Sequence, residues 1–370
     1  MLNSDVQFVD VSNAAPREQD HWPAVVIPKA RIDAEIERLC DMPRPDGGQR
    51  SSMVVHPKAT APGLGLAPGI DVTINVLLPG EESVPQRRNS SLIDMCIGGT
   101  GSVSVGKTRM NVETFDVWNT PSMETFQIRN DGKEPLVRFS YSNAPLLEKL
   151  EVHYVEMNPA ELTGGEAAII AEEQEKARRA RDFAQRVELT GDGAALLGYE
   201  YLIDIDVIES KALLWSWNQV SEHLGKVHGI GKGYTGRRLY VLYNPATERR
   251  IGTSHAFFAT IASVPPGMVD IPHRHTSAAI NYYFQGNGRS TVMGEKFEWE
   301  AGDLMLSAPG WAVHNHASRD QGFHALTIQD HPLHIALDSL LWQETLKQPI
   351  RKLGSESGFQ TNLSAVTNAG

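Results

Sequence analysis

Short apolar stretches bounded by turn-forming residues dominate the chain. Residues 72–78, 102–105, 137–141, 239–243, 257–263, 279–284, 288–293 and 303–307 read as strands, and Gly98-Gly99, Asn287-Gly288 and Met293-Gly294 sit where tight turns belong. Residues 166–187 differ: Ala, Glu, Lys and Arg occur in helical proportions, with opposite charges one turn apart, and predict a solvated connector helix. A terminal helix is expected over residues 339–346, and the Ser, Asn and Gly content of residues 354–370 predicts a loose tail. The pattern as a whole is all-β with flanking helices.

The strand pattern occurs twice. A shift of 187 positions lays Pro79-Gly80 on Pro266-Gly267, Arg87 on Arg274, Gly99 on Gly286, Asp116 on Asp303 and Pro145-Leu146 on Pro332-Leu333, without a gap. One shift holding over some eighty residues argues for two copies of one fold.

Composition narrows the function. The 370 residues are 41% apolar, enough for buried cores in two domains. A net charge of -11 disfavours nucleic acid, whose phosphates need basic grooves, and the cationic run at residues 176–181 is interleaved with acids and belongs to a solvated helix face. Cys40 and Cys96 form no Cys-x-x-Cys pair, so they are expected to be buried thiols. No basic-then-apolar leader and no membrane-length apolar run appear, so a soluble, cytoplasmic protein with no membrane partner is expected.

Histidine placement supplies the chemistry. Eight of the thirteen histidines fall between His255 and His334, and His273-x-His275 lies on a predicted strand. Alternation sends both imidazoles to one face, where a third from a neighbouring strand, His314, can close a facial metal site. The shift of 187 places Gln86, Arg88 and Gln127 at the corresponding positions of the first copy, and residues 57–152 contain no histidine. Metal chemistry is therefore confined to the second copy.

The spacing Gly267-x5-His273-x-His275 with Gly286, followed by Gly302-Asp303, Pro309 and His314, resembles the paired motifs of the cupin superfamily. The resemblance implies a bicupin, two tandem cupin barrels of the double-stranded β-helix or jelly-roll type. On this reading the chain divides into an N-terminal arm (1–60), a first barrel without metal (61–158), a connector helix (159–190), a second barrel with a helical lead-in (191–345) and a tail (346–370). Ala279 stands where the family commonly has a Glu ligand and Ser318 where it has Asn, so a three-histidine site is expected.

Within that superfamily, residues 215–343 resemble the gentisate and salicylate 1,2-dioxygenases. The likeness rests on Gly236-Arg237-Arg238 with Asn244-Pro245, Pro272-His273-Arg274-His275-Thr276, Gly302-Asp303, Pro309-x-Trp311-x-x-His314-x-His316 and Pro332-Leu333-x-x-Ala336-Leu337-Asp338. It implies Fe(II) held by His273, His275 and His314, an ortho-hydroxy aromatic acid and O2 as reactants, and a homo-oligomer, commonly a tetramer. Three neutral imidazoles leave the metal its full charge and three open positions. The acid is expected to be gentisate, salicylate or a 5-substituted salicylate such as a nitrosalicylate, cleaved between the carbons bearing carboxyl and hydroxyl.

By the same resemblance His316 is the candidate for proton transfer or hydrogen bonding. Arg237, or its neighbour Arg238, is the candidate for the substrate carboxylate. Asn281 projects toward the same cavity at a position where the family commonly has Arg, which adds no charge and points to a changed ring-substituent preference. Trp311, Tyr283 and Phe258 are candidate aromatic walls. Two other functions fit the same residues: an oxygen-independent metal cupin acting as isomerase, cyclase or lyase on a keto or hydroxy acid, and a non-catalytic binding bicupin.

Overall fold

Strict alternation along Asp71–Leu77 turns Val72, Ile74 and Val76 to one side of a sheet and Asp71, Asn75 and Leu77 to the other. The computed structural model describes residues 6–16, 20–161, 164–183, 185–189, 191–203, 208, 210–231, 233–234, 236–355, 358 and 360–367. Parts of the expected arm (1–5, 17–19), connector (162–163, 184, 190), second-barrel lead-in (204–207, 209, 232, 235) and tail (356–357, 359, 368–370) lie outside the described residues.

In the first half a six-stranded sheet runs Leu214–Trp215, Val117–Thr120, Leu92–Gly98, Leu136–Ser142, Asp71–Leu77, Arg50–Met53. It faces a five-stranded sheet, Val155–Met157, Gln86–Arg88, Phe126–Arg129, Thr100–Val105, Thr108–Glu113, across a core that includes Leu77, Val103, Trp118 and Phe126. In the second half Ala279–Val292 and His314–Gln329 are long strands that bend through register shifts near Gly286, so one seven-stranded sheet serves in place of two. The outer faces of the halves share a second core, in which the Phe139 and Tyr282 rings meet edge to face at 5.0 Å.

The 187-residue shift relates these elements. Asp71–Leu77 maps onto Phe258–Val264, Thr108–Glu113 onto Glu295–Glu300, and the helix Ala144–Lys149 onto His331–Ala336. The correspondence also extends upstream of the motifs, since the helix Lys29–Asp41 falls on Trp217–His228. Each of these helices follows a short strand that pairs with the opposite half: Val25–Ile27 joins Leu304–Ala308, and Leu214–Trp215 joins Val117–Thr120. Asp303 Oδ1 accepts the Lys29 N–H at 2.7 Å and Asp116 Oδ1 accepts the Trp217 N–H at 2.7 Å, so each half holds the start of the other's helix. The aspartate of the Gly-Asp motif thus has a structural use in both copies, although Phe115 stands in the first where Gly302 stands in the second.

The connector helix forms over Gly164–Phe183, and Arg186–Glu188 is already a strand. The helix expected at 339–346 is absent. Leu341–Gln343 is instead a strand paired with Arg274–His275, because the Trp342 indole packs on the His275 ring (centroids 4.7 Å) and the Leu341 N–H bonds Thr276 Oγ1 at 3.1 Å. The helix lies earlier, at His331–Ala336. Cys96 is buried as expected, whereas Cys40 is half-exposed. Among the described residues no helix is long and apolar enough to cross a membrane.

Candidate metal centre

His273 and His314 face each other and exchange both backbone hydrogen bonds, N–H to O at 3.1 and 2.9 Å. His275 follows two residues on, and alternation brings its ring to the same side. All three are buried, and their ligand atoms lie within 4.8 Å of one another, forming among the described residues a group able to hold a metal ion.

Local backbone fixes how each ring presents itself. The Nδ1 atoms of His273, His275 and His314 bond the carbonyls of Ile271 (3.1 Å), Ser277 (2.8 Å) and Ala312 (2.9 Å). A carbonyl only accepts, so each Nδ1 carries the proton and each Nε2 keeps its lone pair. The His275 Nε2 is buried without any hydrogen-bond partner, an arrangement that costs about 1–3 kcal/mol unless something binds there. Burial holds His273 and His275 well below the usual imidazole pKa and brings His314 down to about 3, so all three stay neutral. Buried, neutral, tautomer-fixed imidazoles fit a divalent ion. Titrating a divalent ion into chelator-treated protein is therefore expected to raise the melting temperature, reflecting about 2.7 kcal/mol at a hundredfold excess over Kd; an unmoved transition in differential scanning fluorimetry would speak against binding.

The three histidines form one wall of a cavity of about 540 Å³. Arg237, Asn281, Tyr283, Phe258 and His316 also line it, as do Asp270, Thr260, Thr327, Gln329 and His331. Trp311 does not: the Arg274 guanidinium lies over its ring, 4.5 Å from the centroid. Arg238 reaches the cavity wall but donates to the Ile230 and Gly231 carbonyls at 3.0 and 2.8 Å. Arg237 donates from Nη1 to Glu344 at 3.0 Å and stacks over Trp342, which leaves its Nε buried without a partner. Burial raises the Asp270 carboxyl pKa against the opposing pull of Arg237 and Arg238.

His316 is turned away from the three other rings in its bonding. Its Nδ1 meets Ser290 Oγ at 2.7 Å, and burial lowers its pKa to about 4. Ser290, Asp270, His331, Trp342 and Glu344 escape sequence reasoning. A signal for Trp342 existed, because the shift of 187 places it on Val155, in the first-half strand that pairs with Gln86–Arg88.

The first half shows what takes the place of imidazoles. At its corresponding positions Gln127 donates to the Ser83 carbonyl at 2.9 Å, and half-buried Arg88 lies near Asp71 and Asp94. Arg138 forms a buried ion pair with Asp94 and bonds Gln49 at 2.6 Å. The Arg138–Asp94 pair and Arg88 bring charge into that interior.

No family model matches the chain. It is 31% identical over 83 residues to gentisate 1,2-dioxygenase 1 of Aquipseudomonas alcaligenes, which covers 22% of this chain and 24% of that protein. It is 26% identical over 135 residues to 5-nitrosalicylic acid 1,2-dioxygenase of a Bradyrhizobium species, covering 35% of this chain and 65% of that one. The aligned parts thus span from about a quarter to just under two thirds of these relatives. The fold matches the crystal structure of salicylate 1,2-dioxygenase from Pseudoaminobacter salicylatoxidans with gentisate, at a TM-score of 0.69 and 13% identity over 90% of this chain and 88% of that one. The chain thus shares the fold of a salicylate 1,2-dioxygenase over nine-tenths of its length, and is similar in sequence over about a third to a 5-nitrosalicylic acid 1,2-dioxygenase.

Proposed function

We propose that the chain is an Fe(II)-dependent dioxygenase that opens the ring of an ortho-hydroxy aromatic acid between its carboxyl- and hydroxyl-bearing carbons. Gentisate, salicylate and 5-substituted salicylates such as a nitrosalicylate are the substrates this reading favours, with O2 as co-substrate. The observation that carries it is the set of three neutral, Nδ1-pinned imidazoles opening onto one cavity. Bound iron supplies a site for the two ring-acid oxygens and the one-electron chemistry that dioxygen requires.

The protein's part is placement. Phe258, Phe323 and Val264 give the cavity an apolar wall that excludes water from a flat ring. Arg237, held by Glu344 and Trp342, keeps a donor free for the substrate carboxylate. Replacing it by Met is expected to lower kcat/KM about a hundredfold, the scale of one lost charge-assisted contact. Equal kcat/KM in steady-state oxygen uptake would remove Arg237 from the site.

The reading is tested with anaerobically iron-loaded protein and a panel of gentisate, salicylate, 5-substituted salicylates and 1-hydroxy-2-naphthoate. One dioxygen consumed per ring opened supports it; no uptake with any member refutes it. Turnover that survives removal of dioxygen, or exchange of iron for zinc, would instead mark the oxygen-independent isomerase, cyclase or lyase. A cytoplasmic, homo-oligomeric enzyme belongs to the same proposal on family likeness, and light scattering on the purified chain tests the assembly.

A further inference from the structure

A chain of hydrogen bonds runs behind the cavity wall and ends on His316. Asn281 Nδ2 lies 2.8 Å from Ser307 Oγ and 3.0 Å from the Tyr283 hydroxyl. That hydroxyl lies 3.4 Å from Ser290 Oγ, and Ser290 Oγ lies 2.7 Å from His316 Nδ1. The Trp299 indole N–H also reaches Ser290 Oγ, at 3.0 Å, while its ring stacks on Tyr283 with centroids 3.6 Å apart. Ser290 is fully buried, and Asn281, Tyr283 and Trp299 are nearly so.

Direction follows from the two members that only donate. The Asn281 amide nitrogen donates to the Tyr283 oxygen, which turns the phenol hydrogen toward Ser290. Trp299 is a donor too, so the Ser290 oxygen accepts from both and has one hydrogen left to give. His316 Nδ1 is the acceptor that remains. The order that satisfies every donor and acceptor in the chain puts its proton on Nε2, the opposite of the arrangement imposed on His273, His275 and His314 by their backbone carbonyls.

The first half has no such chain. The shift of 187 puts Cys96 at Tyr283, Val103 at Ser290, Val112 at Trp299 and Arg129 at His316. The relay is thus found only in the half that brings three imidazoles together.

We propose that Ser290, oriented by Tyr283 and Trp299, is a positioning residue that fixes His316 with Nε2–H as the donor to an anionic oxygen of the bound ring acid. The assignment rests on the proposed dioxygenase function for the identity of that oxygen, but not for the tautomer. In this arrangement His316 gives a hydrogen bond and does not act as the base. Asn281 is committed to the relay through both N–H groups, which explains why an uncharged residue suits that position.

The test is long-range 1H–15N correlation on full-length, histidine-labelled protein loaded with Zn(II), with the His316 signals identified by their loss in His316→Gln. A protonated Nε2 and bare Nδ1 are expected in the parent, shifting to a mixture of tautomers in Ser290→Ala and returning in Ser290→Thr. With the iron form, Ser290→Ala should lower kcat about tenfold to a hundredfold with KM within about twofold, as for a lost preorganised donor. A proton on Nδ1 in the parent overturns the proposal, as does a His316 signal unmoved by Ser290→Ala. Should that variant fail to fold, the parent spectrum alone decides. Failure of oxygen uptake across the panel would sink the proposed function while leaving the tautomer result standing.

Discussion

His273→Ala is expected to bind less than about a tenth of an equivalent of metal and to lose at least about a thousandfold in oxygen uptake. The size of the effect follows from the donor set. Three imidazoles from two adjacent segments make up the group, and Ala279, which lines the same cavity, supplies no fourth ligand. Two remaining nitrogens hold a divalent ion too weakly to survive purification. The first half offers no second site, because Arg88 and its acidic neighbours occupy the corresponding interior. His314→Ala should behave alike. Metal analysis by mass spectrometry, alongside uptake assays, checks both; a variant retaining one equivalent would show that the ion lies elsewhere.

Gly286→Ala is expected to destabilise the fold by about 4 kcal/mol, a large share of the stability of a typical domain. Gly286 has φ +81° and marks the bend in Ala279–Val292, where a Cβ would stand 1.9 Å from the Gly322 carbonyl oxygen. Both obstacles are backbone, so no rotamer relieves them. The same geometry recurs at Gly99, φ +82°, where a Cβ would meet the Pro135 carbonyl oxygen at 2.4 Å. Gly267 provides the contrast: φ is +72° but nothing lies within 4 Å, so Gly267→Ala should cost only about 1 kcal/mol. Urea denaturation of the two variants separates conformational strain from collision; equal losses would show that collision adds nothing.

How much of this was legible depends on the range of the interaction involved. Alternation placed several strands, but the tight turn expected at Asn287-Gly288 is absent, because a register shift at Gly286–Gly288 bends 279–284 and 288–293 into one strand, Ala279–Val292; a single shift of 187 paired the halves, because that signal is written in local residue type. The histidine spacing indicated which rings would meet for the same reason. The strand Leu341–Gln343 was hidden, since its conformation is set by a tryptophan seated on His275 from across the barrel mouth. Residues 339–346 alone look helical. Trp311 carried a motif position, yet Arg274 takes its ring face, a contact that no periodicity encodes. Ser290 was silent for a similar reason: an isolated serine in a strand says nothing until the register sets it opposite His316.

The lead-in strands cross over. Val25–Ile27 covers the edge of the half that brings the imidazoles together, and Leu214–Trp215 covers the edge of the half without them. Deleting the first half would therefore strip the second of its border strand and leave Leu304–Ala308 with unsatisfied amides open to aggregation. A copy that gathers no imidazoles for a metal thus has a mechanical use, as the splint without which its sister cannot stand.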